Sequence, residues 1–562
     1  MQDENKSLAL AILMSFIAIY AVNHFFGLNT VPSRVKQVQP IEEIQQVNLE
    51  ESSQSLPDTF TPEELKTTDE IVSTENRLAF KNTSVAGSIR LNGARFDNLY
   101  LTKYNVDIDD NSKKIELLKP MQTANHYFAD LGWLSLDKSI KLPTSNSLWR
   151  TNDTELTPNT PVRLVWNNSQ GLRIIRTIRL DNNYLFTITD TIENNSGQEI
   201  NLFPYALINR NIEGLIATRS VVHEGISSVI DKTLKEVKYA ELKKDKSKSL
   251  ETKGGWFGFS DRYWFSSFIL GRKDKAQINF SNQGNDNFQV DYLGQQINIP
   301  NNATRDYTYT FFAGAKEIKL LDRYAKQNGI SKFDLAVDFG WYYFLTKPFF
   351  YILDFLYSFL GNMGWAILLF AAILRLCMFP VANKSFTSMA KMKALQPKIN
   401  EIREKYGNNQ VLLQQATMEL YKREKINPAS GCLPMFIQIP VFFSLYKVLN
   451  ISIEIRHAPF IGWIKDLSAP DPLTISQLFN IYVPGFIDIG LWPIFMGLTM
   501  WIQQKLNPAP ANKDQARMFA LMPVFFTFML GHFASGLVIY WTLNNVLAII
   551  QQKAIMRKNG VK

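Results

Sequence analysis

Residues 362–380 read NMGWAILLFAAILRLCMFP, and this run of nineteen residues contains a single charge, Arg375. About 20 apolar residues are needed to cross the roughly 30 Å hydrocarbon core of a bilayer. The run therefore predicts a membrane-spanning helix, which we place at 361–381. The mean hydropathy of the whole chain, −0.10, hides this feature because residues 29–340 are polar, whereas residues 341–552 are dominated by apolar runs.

Further apolar segments predict five more spans. Four of them follow the span 361–381 along the chain, at 431–451, 486–504, 518–533 and 537–553. The fifth opens the chain, where residues 7–26 read SLALAILMSFIAIYAVNHFF. A cleaved signal peptide is the alternative there, but the run is long for one and no small-x-small cleavage site follows it. We therefore expect an uncleaved anchor at 1–28 and six spans in all.

An acidic segment and then a β-rich segment separate the first two spans. Residues 37–76 carry ten acidic side chains against Lys66 and show no hydrophobic periodicity, which predicts a disordered linker over 29–76. Residues 77–330 contain short alternating runs between turn clusters, which predict an all-β sandwich domain. The clearest of these runs are 162–166, 172–180, 184–192 and 200–205.

The β domain contains no group of side chains that indicates catalysis or metal binding. It has no cysteine, and its two histidines, His126 and His223, sit in no metal-ligand spacing. The chain also lacks a Walker-type phosphate-binding loop. We therefore predict a protein without enzymatic activity, catalytic residues, cofactor or metal. The aromatic run 256–265 either belongs to the core or lines a ligand cleft, and core is the more frequent outcome.

The distribution of Lys and Arg sets the predicted orientation, because these residues mark the cytoplasmic side when they occur in short loops. The loop 382–430 carries nine of them, and the loop 505–517 and the tail 554–562 are also basic. With six spans, all three segments fall on one side of the membrane. We therefore expect both termini in the cytoplasm, and residues 29–340 and the loop 452–485 on the opposite, outer side of the membrane.

Two segments beside the spans predict helices outside the hydrocarbon core. Residues 335–360 are rich in aromatics but contain Lys347 and Asp354, which is typical of an amphipathic helix lying in the membrane interface. The cytoplasmic loop predicts a hairpin of two helices, 384–406 and 410–425. Its candidate docking residues are Lys391, Lys393, Lys398 and Arg403. They either contact the ribosome, nascent chains or targeting factors, or only fix the topology.

Arg375 is the residue from which a functional site can be argued. An Arg at the centre of a span costs roughly 2.5–3.5 kcal/mol on insertion scales, so it usually faces protein or a water-filled cavity. Because it lies five residues before Pro380, snorkelling to the cytoplasmic interface is an equal alternative. Other polar residues within the spans favour a groove, whose candidate residues are Arg375, Gln438, Trp541, Asn544 and Asn545.

The predicted groove is positively charged and hydrated. Apart from Asp488 at the edge of the span 486–504, no acidic residue lies inside spans two to six, so Arg375 has no evident partner except water or an acidic group of a substrate. The last two segments, 518–533 and 537–553, are also short, since sixteen or seventeen helical residues give only about 24–26 Å. Spans that short favour a thinned bilayer, which lowers the barrier for a short polar tail. We therefore expect a groove open to the cytoplasm.

The helical half resembles the YidC/Oxa family of membrane insertases, in its Gram-negative YidC form. The resemblance covers about residues 335–557. It is carried by the Arg375 span and by SMAKMKALQPKINEIREKYG (388–407), LYKREKINPASGCLPMFIQIPVFFSLYKVL (420–449), FIGWIKDLSAPDP (460–472) and FASGLVIYW (533–541). The β domain resembles the YidC periplasmic domain in position, length and class, and in its Gly254-Gly255-Trp256 sequence.

This resemblance implies a multi-domain protein of the bacterial inner membrane, with residues 29–340 in the periplasm, a β-super-sandwich there, and a five-helix core around a hydrophilic groove. It implies that small inner-membrane proteins are inserted, alone or with the Sec translocon, and that membrane lipids are contacted. Arg375 would be the groove arginine and Trp541 a groove aromatic, whereas Ala371 stands where many relatives have a hydroxyl residue. The segment 474–489 is longer than the usual connection, and the resemblance gives it no role.

Two other classes of protein remain as alternatives. A transporter or channel predicts repeated halves or several intramembrane charges. A membrane-tethered sugar-binding or sugar-modifying protein predicts a catalytic group of side chains within 77–330.

Overall fold

The computed structural model describes residues 65–109, 111–214, 222–406, 409–427, 433–485, 487–508 and 513–559. The predicted anchor 1–28 and most of the predicted linker lie outside these residues. The last part of the linker is helical, as α1 (Thr68–Thr74), and its first turn is closed by a capping box between Thr67 and Glu70. Ile71 of this helix is buried. The predicted disorder of the linker is therefore wrong for α1, because capping and burial stabilise it.

Among the described residues between 77 and 315, seventeen strands form one connected hydrogen-bonded network. They are β1 (Arg77–Lys81), β2 (Val85–Arg90), β3 (Arg95–Asn105), β4 (Lys114–Leu118), β5 (Tyr127–Leu134), β6 (Glu155–Leu156), β7 (Val162–Asn167), β8 (Leu172–Leu180), β9 (Leu185–Asn194), β10 (Ile200–Asn211), β11 (Gly225–Ile230), β12 (Thr233–Lys238), β13 (Ser247–Ser260), β14 (Trp264–Gly284), β15 (Asn287–Gly294), β16 (Ile297–Ile299) and β17 (Ala303–Ala315). The predicted all-β class of this domain is confirmed.

The long hairpin β13–β14 links two layers of strands. The first part of β14, Trp264–Ile269, pairs with β17, whereas the second part, Ala276–Gly284, pairs with β15. β13 follows this change with a register shift between Lys253 and Gly255. Gly255 has φ 110°, and a Cβ there would lie 1.9 Å from the carbonyl oxygen of Val229. The bend therefore requires glycine.

Aromatic side chains fill the space between the two layers. The ring centroid of Phe96 in β3 lies 5.6 Å from that of Phe311 in β17. Trp133 in β5 makes an edge-to-face contact with Tyr307 in β17, with centroids 5.5 Å apart. Four members of the aromatic run 256–265 are fully buried: Trp256, Phe257, Phe259 and Phe265. The interpretation of that run as core is confirmed.

A buried ion pair also joins the layers. Arg176 in β8 and Asp190 in β9 pair at 2.8 Å, and both side chains are fully buried. Trp133 in β5 donates its indole N–H to Asp190 at 2.9 Å, and Arg176 Nη2 donates to the backbone carbonyl of Leu131 at 3.2 Å. Removing one partner of such a pair costs about 3–5 kcal/mol, so these bonds hold β5 firmly against β8 and β9.

Helices dominate the chain after the β domain, which itself carries α2 (Tyr239–Asp245) and is followed by α3 (Ile318–Gln327). The helical half consists of α4 (Tyr343–Leu360), α5 (Met363–Cys377), α6 (Phe379–Ala394), α7 (Gln396–Tyr406), α8 (Gln410–Arg423), α9 (Leu433–Ile451), α10 (Ile475–Phe479), α11 (Leu491–Leu506), α12 (Lys513–Leu530) and α13 (Ser535–Lys558). α13 is central, since it contacts α5, α6, α9 and α11.

The predicted span 361–381 forms the first arm of a bent pair of helices. α6 leaves α5 at an angle of 67° after one intervening residue. Pro380 lies in the first turn of α6, where its missing N–H costs no intrahelical bond. Judged by length and composition, α5 and α6 together could cross a membrane. Among the described residues, no single helix is both long and apolar enough to do so alone.

Two predicted helix limits are wrong for local reasons. The first arm of the hairpin, 384–406, is divided at Leu395 into α6 and α7, because Pro397 lacks an N–H and clashes with the preceding turn. The last helix continues to Lys558, beyond the predicted span, since no glycine or proline occurs between Leu537 and Lys558. Its 24 residues correspond to about 36 Å, so the thinned-bilayer argument loses its basis for this helix.

Polar contacts join the β domain to the helical half. Arg262, in the turn before β14, donates Nε–H to the backbone carbonyl of Asn450 in α9 at 2.7 Å. Lys447 in α9 pairs with Asp338 at 2.6 Å, and the same carboxylate accepts the backbone N–H of His223 at 3.0 Å. Burial alone would raise the pKa of Asp338, but Lys447 and the hydrogen bonds hold it below its ordinary value. Asp338 therefore acts as a charged bridge in this junction.

A second carboxyl group near the junction lacks such compensation. Glu454 lies in a short 3₁₀ turn, Ile453–Ile455, and its Oε2 is buried without a hydrogen-bond partner among the described residues. Burial, together with the nearby carboxylates of Glu317 and Asp354, raises the pKa of Glu454 to about 7. The protonated form is therefore favoured by folding.

We predict that Glu454 makes the folded chain less stable as the pH rises. Its stabilising contribution is complete below its ordinary pKa of 4.5 and is lost as the pH passes through 7. Between roughly pH 5 and pH 8, Glu454 should lower the free energy of unfolding by about 2–3 kcal/mol, and Glu454→Gln should abolish this decrease. Thermal unfolding midpoints of the detergent-solubilised chain at both pH values measure this. Glu155→Gln, at an exposed carboxyl in β6, is the control, and an unchanged pH dependence in Glu454→Gln contradicts the raised pKa.

Candidate functional site

Arg375 lies at the elbow between α5 and α6. It occupies the last turn of α5, and its guanidinium carbon stands 5.6 Å from the ring centroid of Phe386 in α6. Nε and Nη2 are buried and have no hydrogen-bond partner among the described residues. A cation–π contact is worth about 0.5–2 kcal/mol, which is less than the cost of leaving charged donors unpaired. The protein alone therefore does not satisfy this guanidinium.

A hydrogen-bonded pair of polar side chains lies within electrostatic range of Arg375. Gln438 in α9 donates Nε2–H to the hydroxyl of Tyr540 in α13 at 2.8 Å. Tyr540 is almost fully buried, and Arg375 is near enough for its charge to act on the same hydroxyl. Three helices, α5, α9 and α13, thus bring Arg375, Gln438 and Tyr540 together. We call these three residues the polar cluster.

The groove residues predicted from the sequence include Trp541 but not its neighbour Tyr540. The two differ by about 100° around the helix, so both contact α9 but only Trp541 also turns toward α11 and α12. Trp541 packs on Phe442 in α9, with ring centroids 4.7 Å apart, and belongs to an apolar cluster with Met496 in α11 and Leu530 in α12. The hydroxyl beside Arg375 is therefore supplied by Tyr540.

The two asparagines of α13 are also divided between these faces. Asn545 is buried and donates Nδ2–H to Thr499 Oγ1 in α11 at 3.1 Å. Asn544 is partly exposed and lies four residues after Tyr540, hence on the same face of α13. The predicted polar stripe is thus split, with Asn544 on the side of the polar cluster and Asn545 on the side of α11.

The predicted cytoplasmic hairpin corresponds to the end of α6 with α7 and α8. Lys398 in α7 pairs with Glu424, just after α8, at 3.0 Å, which leaves it on the surface as a partly neutralised charge. Lys391 is exposed, whereas Lys393 and Arg403 are half-buried. The four basic residues therefore do not form one uniform patch.

The outer faces of α11 and α12 are apolar and exposed. Along α11 these residues are Ile494, Phe495, Leu498 and Trp501, and along α12 they are Leu521, Val524, Phe525, Phe528 and Met529. Near the end of α11 the ammonium of Lys505 lies 3.6 Å from the ring centroid of Trp501. Exposed apolar faces of this extent are typical of surfaces that contact lipid or another protein.

Comparison with known proteins gives the same family over both halves of the chain. Residues 355–561 match the family described as 60Kd inner membrane protein, and residues 77–352 match the YidC periplasmic domain. The membrane protein insertase YidC of Rickettsia canadensis is 43% identical over 569 residues, which covers 100% of both chains. The protein of that name in Brucella suis biovar 1 is 45% identical over 505 residues, covering 88% of this chain and 83% of its own.

A solved structure, described as active YidC insertase with the first transmembrane domain resolved, is similar at 17% identity. The similarity covers 85% of this chain and 92% of that one, with a TM-score of 0.35, which supports no comparison of helix arrangement.

We predict that water reaches Asn544 but not Asn545. In a variant without its native cysteines, Cys377 and Cys432, the substitution Asn544→Cys should react with a water-soluble maleimide added from the cytoplasmic side. Asn545→Cys, packed against Thr499, should react at least about tenfold more slowly, because a thiol must ionise in water to react. Labelling rates in inverted membrane vesicles measure this. Equal rates at the two neighbouring positions contradict the division of α13 into a wet and a dry face.

Proposed function

The chain belongs to the YidC family of membrane protein insertases, and we propose that it inserts its substrates through a hydrated groove centred on Arg375. As a member of this family it is an inner-membrane protein that acts on membrane proteins. The groove, its opening toward the cytoplasm and lipid, and the roles of individual residues in it are the content of the proposal.

The observation that carries the proposal is the unsatisfied guanidinium of Arg375. An arginine remains charged under all physiological conditions, and its buried donors lack partners among the described residues. Such a charge needs water or an anionic group close by. Gln438 and Tyr540 add further polar groups. The polar cluster would therefore give a short hydrophilic tail of the substrate polar contacts within the helical half of the protein.

The energy for insertion would come from the substrate and the membrane. No nucleotide-binding loop occurs in the sequence. Burial of apolar substrate surface supplies about 25 cal/mol per Å², and the membrane potential adds about 2.3 kcal/mol per charge at 100 mV. An acidic residue in the translocated tail would in addition be attracted to Arg375. The groove would act by lowering the barrier, since the driving force is already present.

The orientation and the partners complete the proposal. We propose six spans with both termini in the cytoplasm and residues 29–340 in the periplasm, because the three basic segments then share one side. α4 would lie in the periplasmic interface, with Phe355 and Phe359 exposed toward lipid. The exposed Lys391 and the basic tail would contact the ribosome or targeting factors. Some substrates would arrive with the Sec translocon, and small ones without it.

We predict that Arg375 acts through its charge. In proteoliposomes that contain this chain alone, Arg375→Ala should reduce insertion of a small membrane protein with an acidic translocated tail by about tenfold, a loss of about 1.4 kcal/mol of barrier lowering. Arg375→Lys should retain most of the activity, because it keeps the charge. Protease protection of the inserted tail measures both.

The matched control is Arg557→Ala, which removes an exposed arginine near the end of α13. It should insert the substrate at the wild-type rate in this ribosome-free assay. Wild-type insertion by Arg375→Ala would contradict the proposal, and so would a loss of the same size in Arg375→Lys and Arg375→Ala.

A further inference from the structure

One segment of the helical half has no part in the proposed groove. From Pro472 to Ile487 the chain runs for sixteen residues without a charged side chain or a histidine. The described residues of this segment form a loop around the short helix α10. We call it the 472–487 loop. It precedes α11 and lies within and just after the region predicted as the periplasmic connection 452–485.

Hydrogen bonds at its base give this loop a defined form. Ser476 donates its backbone N–H and its hydroxyl to the two carboxylate oxygens of Asp488, at 2.9 and 2.7 Å. Ile475 donates its backbone N–H to the carbonyl of Ile489 at 3.1 Å, and a β-bridge joins Thr474 to Gly490. A loop whose two ends are tied together in this way is a compact unit, and such loops are frequently functional.

The tip of the loop presents large apolar side chains to the outside. Tyr482 is 92% exposed and Phe479 is 65% exposed, and Leu478 and Ile481 are about half exposed. Covering a side chain of this size is worth about 1.5–3 kcal/mol. Four such residues at the tip of a closed loop therefore indicate a surface that is covered in the working protein.

The 472–487 loop lies at one end of the apolar helix pair α11–α12, and this position indicates what kind of surface covers its tip. Its base leads directly into α11, and the carbonyl of Gly485 accepts a hydrogen bond from His532, just after α12, at 3.1 Å. The loop thus stands where α11 begins and α12 ends. From this level the exposed apolar side chains of α11 and α12 continue, beginning with Ile494 on α11 and Met529 on α12. The opposite end of α11 carries Lys505.

We propose that the 472–487 loop is a membrane anchor whose tip dips into the periplasmic lipid interface. Three observations favour lipid over a protein partner: the absence of charge, the continuity with the apolar faces of α11 and α12, and an aromatic residue with a polar hydroxyl at the outermost point. Tyrosine is enriched at this depth of a bilayer, and interfacial segments enter it by about 5–10 Å. The inference rests on the membrane placement of α11 and α12 in the proposed function.

The anchor would hold one end of the α11–α12 pair at a fixed height. Trp541 and Asn545 of α13 pack against this pair. The loop would therefore set the depth of the α11–α12 pair against which α13 packs, without contacting the substrate. This role accounts for a rigid, tied base combined with an apolar tip.

The test uses the full chain in lipid nanodiscs that contain no other protein. In a variant without Cys377 and Cys432, Tyr482→Cys carries an environment-sensitive nitrobenzoxadiazole label, and the lipid carries a spin-label quencher near the headgroup. We expect blue-shifted emission and quenching by roughly twofold or more. Phe479→Cys should behave in the same way, which guards against a local effect of one substitution.

Labels at two reference positions distinguish failure of the loop anchor from failure of the membrane placement of α12. Gln283→Cys, exposed near the end of β14, should stay unquenched. Phe525→Cys, exposed on α12, should be quenched by lipid labelled in its acyl chains. If the label at 525 is quenched while those at 479 and 482 remain in water, the anchor is refuted and a protein partner becomes the occupant. If the label at 525 is also unquenched, the membrane placement of α12 fails, and the anchor fails with it.

Discussion

A guanidinium that stays charged within an apolar group of helices is the constraint on which the rest of this structure depends. Arg375 stands at the elbow between α5 and α6, with Phe386 beside it and no carboxylate paired with it among the described ion pairs. A buried ion pair at this point would neutralise the charge and close the site. Because it is absent, polar groups from α9 and α13 and access for water become necessary, and both favour the passage of hydrophilic substrate segments.

The β domain has a different kind of buried charge, and the contrast is informative. Arg176 is fully buried, but it pairs with Asp190 and donates to the backbone carbonyl of Leu131, and Asp190 in turn accepts the indole N–H of Trp133. That guanidinium is therefore a structural element of a rigid sandwich. Asp338 and Lys447 make a similar compensated pair at the junction with α9. The charges that are paired with a carboxylate hold elements together, whereas Arg375, which has no such pair among the described residues, is available for a ligand.

The class of the fold was predictable because it rests on local patterns. Alternating runs such as 172–180 match β8 residue for residue, and Arg375 is visible as the one charge in its run. Tyr540 was not predictable, since its place beside Gln438 depends on how α13 rotates against α9. The separation of Trp541 and Asn545 from the polar cluster also depends on how α13 is rotated against its neighbours. Pro397 and the capping box of α1 were local signals, and sequence reasoning could have used both.

The central claim is that an inserting substrate passes Arg375. A photoreactive amino acid placed at position 375, in the full chain reconstituted in liposomes, tests it most directly when a small membrane protein is stalled during insertion. The account predicts a cross-link from position 375 to the substrate, and none from the same amino acid at position 495 on the outer face of α11. Labelling of lipid alone from position 375, with the substrate still inserted, would contradict it.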